Sequence, residues 1–79
     1  MATVTLYGRP GCHLCDDARE ALERVRRRTA FRLVECDIES DDDLLRRYLE
    51  RIPVVALDGE ELFDYHVDEQ ALQNRLALS

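Results

Sequence analysis

A chain of 79 residues, 46% hydrophobic and 35% charged, has the size and composition of one small domain over residues 1–79, without room for a second catalytic unit. Eleven basic residues against seventeen acidic ones leave a net charge of −6, which argues against nucleic acid or an anionic membrane as partner. No apolar run approaches the ~20 residues of a membrane span, and Met1–Thr5 lacks the basic start and small-residue cleavage site of a secretory signal, so a cytoplasmic protein is expected.

Thr3-Val4-Thr5-Leu6-Tyr7 is a β-rich run ended by Gly8, and Pro10-Gly11 punctuates a loop behind it. Leu14, Ala18, Ala21, Leu22 and Val25 then recur at helical spacing, with Asp16, Asp17 and Glu20 near the start and Arg26, Arg27 and Arg28 near the end. This predicts an amphipathic helix beginning at or just after Cys12. Phe31–Ile38 reads as a second strand, and a strand joined to a strand through a helix predicts a parallel pair with a right-handed crossover. Ser40 or one of Asp41, Asp42 and Asp43 caps a short second helix whose apolar side is Leu44, Leu45, Tyr48 and Leu49, and Ile52-Pro53 ends it.

Val54–Leu57 and Glu61–Tyr65 are separated by Asp58-Gly59-Glu60, which predicts an antiparallel hairpin. Asp68 is the N-cap of a closing helix, with Val67 and Leu72 placed as a hydrophobic staple. The order β-α-β-α-β-β-α defines an α/β fold with a four-stranded mixed sheet flanked by helices. The loop after the first strand lies at that strand's carboxyl end, where sites in open α/β sheets tend to form.

Cys12-His13-Leu14-Cys15 stands where this strand hands over to the first helix, the context of a redox dithiol. At the helix N-terminus, free N–H groups and the dipole stabilise a Cys12 thiolate, and Cys15, one turn on, can reach it. Cys12 is the expected attacker and Cys15 the resolver, with Arg9 adding positive field if its side chain folds back. A protonated His13 would act in the same sense; the alternative for His13 is an exposed first-turn residue. A zinc site would need two more ligands, and Cys36, His13 and His66 supply no second C-x-x-C and no H-x₃₋₅-H pair, so no metal is expected.

Thr5–Cys15, with its C-x-x-C, resembles the opening strand and active-site loop of the glutaredoxins of the thioredoxin superfamily, and Ile52-Pro53-Val54-Val55 resembles the family's proline segment before the third strand. The short bacterial glutaredoxin-like proteins with a Cys-His-Leu-Cys type of site are similar. The resemblance implies a thioredoxin-like fold and a cis Ile52–Pro53 peptide facing the dithiol. It also implies a backbone at Ile52 free to pair with a bound thiol, and an acidic residue, Asp68, at the glutathione groove. The sequence departs from the family at His13-Leu14, where a Pro-Tyr pair is usual, and at Tyr65-His66-Val67, where Gly-Gly is usual. Bulky side chains there are expected to hinder the close backbone approach that glycine allows.

The expected function is that of a thiol-disulfide oxidoreductase, a monomer acting on disulfide-containing proteins or small thiols. Substrate contacts are expected from Arg9, His13, Leu14, Ile52, Pro53 and Asp68, and re-reduction from a reductase or glutathione, with no resident cofactor. The alternatives are a binding or scaffold module that kept the fold, and an iron–sulfur cluster carrier using Cys12 with glutathione. Cys36 alternates with Val34 and Ile38 and is expected in the core as an inert thiol, a third redox partner being the other reading. His66 is expected to face water. The arginines between Arg24 and Arg32 read as a solvated helix end, and Asp41–Asp43 as the acidic first turn of a helix.

Overall fold

Val4 and Leu6 alternate with Thr3, Thr5 and Tyr7, and in the computed structural model, which describes residues 1–78, this segment is strand β1 (Thr3–Gly8). The pleat turns Val4 and Leu6 into the core on one side and Thr5 and Tyr7 to the other. Helix α1 (His13–Arg28) follows, then β2 (Arg32–Asp37), a single 3₁₀ turn (Ile38–Ser40), α2 (Asp42–Tyr48), β3 (Val54–Leu57), β4 (Glu60–Asp64) and α3 (Glu69–Ala77). The sheet order is β2-β1-β3-β4, with β1 parallel to β2 and antiparallel to β3, and β3 antiparallel to β4. The expected element order and strand directions are therefore those of the folded chain, a thioredoxin-like α/β fold.

The two faces of the sheet are covered unequally. On one, Val4, Leu6, Val55 and Leu57 pack with Ala18, Leu22 and Val25 of α1 and Leu72 and Leu76 of α3. On the other, Tyr7, Ile38 and Val54 pack with Leu44, Leu45 and Tyr48 of the short α2. Tyr7 and Tyr48 stack with ring centroids 4.6 Å apart. The Tyr48 hydroxyl donates to Glu61, which Arg51 also engages, at the rim of this second cluster.

Helix starts follow the cap chemistry. Asp41 caps α2 by accepting from the N–H groups of Asp43 and Leu44, and Asp68 caps α3 by accepting from Ala71 N–H at 3.0 Å. Val67 and Leu72 are both buried in the same cluster, as the staple requires. Arg24 pairs with Glu69, tying α1 to α3, and Arg26 pairs with Glu23 on its own helix.

Several local expectations are corrected. Leu14 is 52% exposed, and Cys15, at 2%, takes the inward position at the start of α1, so the buried seam runs Cys15, Ala18, Ala21, Leu22, Val25. Leu49 is likewise exposed, because α2 ends one residue earlier. The hairpin turn is Asp58-Gly59 alone, with positive φ at both residues (49° and 89°), and Glu60 already belongs to β4 opposite Leu57. Tyr65 lies past the end of β4. Cys36 is only half-buried and Val34 is 36% exposed, because β3 adds to the far side of β1 and leaves β2 at the sheet's edge.

Candidate active site

The β1–α1 loop makes its turn at Gly11 (φ +78°), a conformation that suits glycine, and Cys12 follows as the N-cap of α1. Cys12 and Cys15 are joined as a disulfide with Cα atoms 5.2 Å apart. The Cys12 sulfur also accepts from the Cys15 backbone N–H at 3.1 Å, the bond an N-cap side chain makes. The sulfurs differ in access. Cys12 is half-buried at the loop surface, and Cys15 is sealed against the end of β1.

Gly8 provides the space for that seal. A Cβ at position 8 would stand 2.9 Å from the Cys15 sulfur and 3.2 Å from its Cβ, so only glycine allows this approach without displacement. The pairing Tyr7↔Val54, carried one residue on, sets Pro53 beside Gly8, and the Ile52–Pro53 peptide is cis. The Ile52 N–H donates to Tyr48 C=O at 3.0 Å, closing the end of α2. Its N–H is thus engaged, which corrects the expectation of a free backbone for that group alone.

One cavity is lined by Cys15, and a second begins at Leu14, between the two cysteines in sequence. The first, of about 260 Å³, is lined by Gly8, Arg9, Cys15, Arg19, Glu35 and Cys36 among others. Its cations are committed. Arg9 pairs with Glu39 at 3.4 Å rather than folding toward Cys12, and Arg19 bridges Asp16 and Glu35. The other cavity, of about 230 Å³, runs between Leu14 and Asp17 on α1 and Tyr65 and His66 on the β4–α3 loop. Arg24 and Glu69 close it, and hydrogen bonding from Arg24 holds the Glu69 carboxyl below its ordinary pKa.

Among the residues expected to act, the structure gathers Cys12, Cys15 and Pro53 at one sheet end, with Gly8 beside them, and turns Leu14 outward into the second cavity. His13 is the exposed first residue of α1, and His66 is exposed on the facing loop. Asp68 lines neither cavity, and its carboxylate is engaged with Ala71 N–H. Among the described residues no group of three or more His, Cys, Asp or Glu side chains converges as a metal site.

Two positions do more than their local sequence signals indicate. Gly8 reads locally as a strand terminator; a glycine ending a strand directly before a dithiol loop is also the mark of a close approach. Tyr65 was expected to resist the backbone freedom of a glycine, yet it holds φ +67° in a three-residue turn closed by His66 N–H to Asp64 C=O at 2.8 Å. Two further bonds hold it there. The Tyr65 N–H donates to Pro53 C=O at 2.8 Å, and its hydroxyl donates to Glu50 C=O.

The sequence model of the glutaredoxin-like domain (DUF836) matches residues 3–77. The chain belongs to this glutaredoxin-like family. It is 31% identical to the uncharacterised protein Rv0508 of Mycobacterium tuberculosis, over 96% of this chain and 84% of that one. It is 29% identical to a glutaredoxin-like protein of Dictyostelium discoideum, over 87% and 69% of the two chains. Among solved structures it is similar to protein Ne2328 of Nitrosomonas europaea, with TM-score 0.83 and 29% identity over 94% of this chain and 89% of that one. The protein XcR50 of X. campestris gives TM-score 0.77 and 38% identity, over 96% and 97%. A thioredoxin of Halobacterium salinarum, 21% identical with TM-score 0.68 over 98% of this chain and 73% of that one, shares the fold. The glutaredoxin-like fold and the Cys12–Cys15 pair together support a redox role. Among the described residues no helix is long and apolar enough to cross a membrane.

Proposed function

We propose that this glutaredoxin-like protein is a thiol-disulfide oxidoreductase that reduces disulfides of proteins or small thiols. The observation that carries the reading is the unequal access of two linked sulfurs at a helix N-terminus: Cys12 reachable and bonded by Cys15 N–H, Cys15 sealed behind it. In the reduced protein the same N–H and the helix dipole favour a Cys12 thiolate.

The Cys12 thiolate attacks one sulfur of the substrate disulfide, forming a mixed disulfide and expelling the other sulfur as a thiolate, which takes a proton from solvent. Cys15, deprotonated in turn, attacks the Cys12 sulfur and expels the second substrate thiolate. Two electrons have then passed to the substrate and Cys12–Cys15 is oxidised. An external thiol or dithiol, glutathione or a reductase system, returns the pair to the reduced state by the reverse exchange.

Cys15→Ser protein, reduced and mixed with a disulfide substrate, tests this. The expected product is a stable adduct on Cys12, seen as a mass increase on its peptide. No adduct, or an adduct confined to Cys36, overturns the proposal.

A further inference from the structure

Of the large apolar side chains that the fold leaves exposed, Leu14 (52%) and Tyr65 (53%) face the same cavity, and Leu14 lies within the disulfide turn itself. The backbones of both walls are fixed before anything binds. Leu14 stands in the first turn of α1, and Tyr65 is held through its N–H to Pro53 C=O and its hydroxyl to Glu50 C=O. A preorganised apolar slot loses little on binding an apolar side chain. A group covalently joined to Cys12 during exchange is attached two residues from Leu14, one wall of this slot.

The charges beside the disulfide run one way. Arg9, Arg19 and Arg24, the arginines lining the two cavities, are each paired with a carboxylate of the chain itself. Asp17 lines the slot and makes no ion pair among the described residues. An incoming carboxylate therefore finds its candidate arginines committed and meets an open Asp17, whereas an incoming cation meets a free partner.

We infer that the Leu14–Tyr65 slot, with Asp17 at its rim, selects polypeptide disulfides whose cysteine is flanked by an apolar and a basic residue, and disfavours the anionic glutathione disulfide. The inference rests on the oxidoreductase reading and names its substrate class. The chemistry is the exchange written above, with the peptide disulfide as oxidant and the reduced Cys12/Cys15 pair as reductant.

The test is the second-order rate of oxidation of the reduced protein by three probes, quenched in acid and read by mass as Cys12–Cys15 formation. The probes are bis(2-hydroxyethyl) disulfide, glutathione disulfide, and the disulfide of a short peptide with leucine and arginine beside its cysteine. Half-covering one leucine side chain is worth roughly tenfold, so the peptide is expected to react about tenfold faster than glutathione disulfide. Leu14→Ser should lower the ratio of the peptide rate to the hydroxyethyl rate by a similar factor. Asp17→Lys, at an exposed helix position, should narrow the gap between peptide and glutathione, and it keeps the test decisive if Leu14→Ser folds poorly. Equal rates for peptide and glutathione disulfide, or ratios unmoved in both variants, overturn the selectivity while leaving the oxidoreductase reading intact. No Cys12–Cys15 formation with bis(2-hydroxyethyl) disulfide overturns that reading, and the selectivity with it.

Discussion

A Cβ on Gly8 would stand 2.9 Å from the Cys15 sulfur, so the bare Cα of β1 and the buried half of the disulfide are fitted to each other. The last residue of a strand and the first inward residue of a helix are in direct contact, and the redox pair closes over that contact.

Gly8→Ala therefore penalises the oxidised protein most, because the disulfide prevents the Cys15 sulfur from rotating away as a free thiol can. Overpacking of this kind costs about 1–3 kcal/mol. With about 30 mV equivalent to 1.4 kcal/mol for a two-electron couple, the reduction potential of Cys12–Cys15 should become less negative by roughly 30 mV. Equilibration in graded thiol/disulfide buffers measures it, and an unchanged potential would show that the contact is not tight in solution.

Cys36 is expected to stay outside the exchange although it lines a cavity with Cys15. Its Cα partner on β1 is Tyr7, which faces α2, whereas Glu35 pairs with Leu6 and reaches Arg19 on the α1 side. Alternation thus sends the Cys36 side chain to the face opposite Cys15. Alkylation followed by peptide mapping should find Cys36 modified in both the oxidised and the reduced protein. A peptide joining Cys36 to Cys12 or Cys15 would contradict the assignment of faces.

Cys36 also marks where sequence stops specifying position. Alternation in Phe31–Ile38 places Val34, Cys36 and Ile38 on one face, and that much holds. Whether the face is covered depends on strand order, which is set by β3 adding beyond β1 and by the shortness of α2, both long-range facts. Cap residues, the hairpin and the helix seam were legible because their chemistry is local. Leu14 shows the limit of a local pattern: helical spacing fits a seam through Leu14 or through Cys15, and the contact with Gly8 decides between them. Tyr65 was illegible for a related reason. Its left-handed backbone is held by bonds to Glu50 and Pro53, residues distant in sequence.

The Tyr48–Glu61–Arg51 cluster predicts pH dependence at both ends of the scale. Hydrogen bonding from Arg51 and then Tyr48 lowers the Glu61 pKa, so its contribution is present above the unfolded carboxylate range and is lost as pH falls through the lower folded value. Burial and then Glu61 raise the Tyr48 pKa, so its contribution is complete below the unfolded tyrosine value of about 10 and declines as pH rises toward the folded one. Thermal melts from acid to alkaline pH should show both declines. Glu61→Gln should flatten the acid one and Tyr48→Phe the alkaline one; a Tyr48→Phe profile that parallels the wild type above pH 10 would contradict the second assignment.

Tyr65 combines a conformational cost with a compensating anchor, and substitutions separate the two. A side chain at φ +67° carries about 1–2 kcal/mol of steric cost that glycine avoids. The hydroxyl bond to Glu50 C=O returns about 1 kcal/mol, and the ring adds contact along the slot. Tyr65→Phe, which removes only the bond, should lower unfolding stability by about 1 kcal/mol. Tyr65→Ala keeps the backbone cost and loses ring and bond together, so it should be the least stable of the series. Tyr65→Gly should exceed Tyr65→Ala by about 1 kcal/mol, because both lack the ring and only alanine keeps the steric cost. Urea denaturation of the oxidised proteins gives the order, and an alanine variant as stable as the glycine one would mean that the left-handed turn relaxes once the tyrosine is gone.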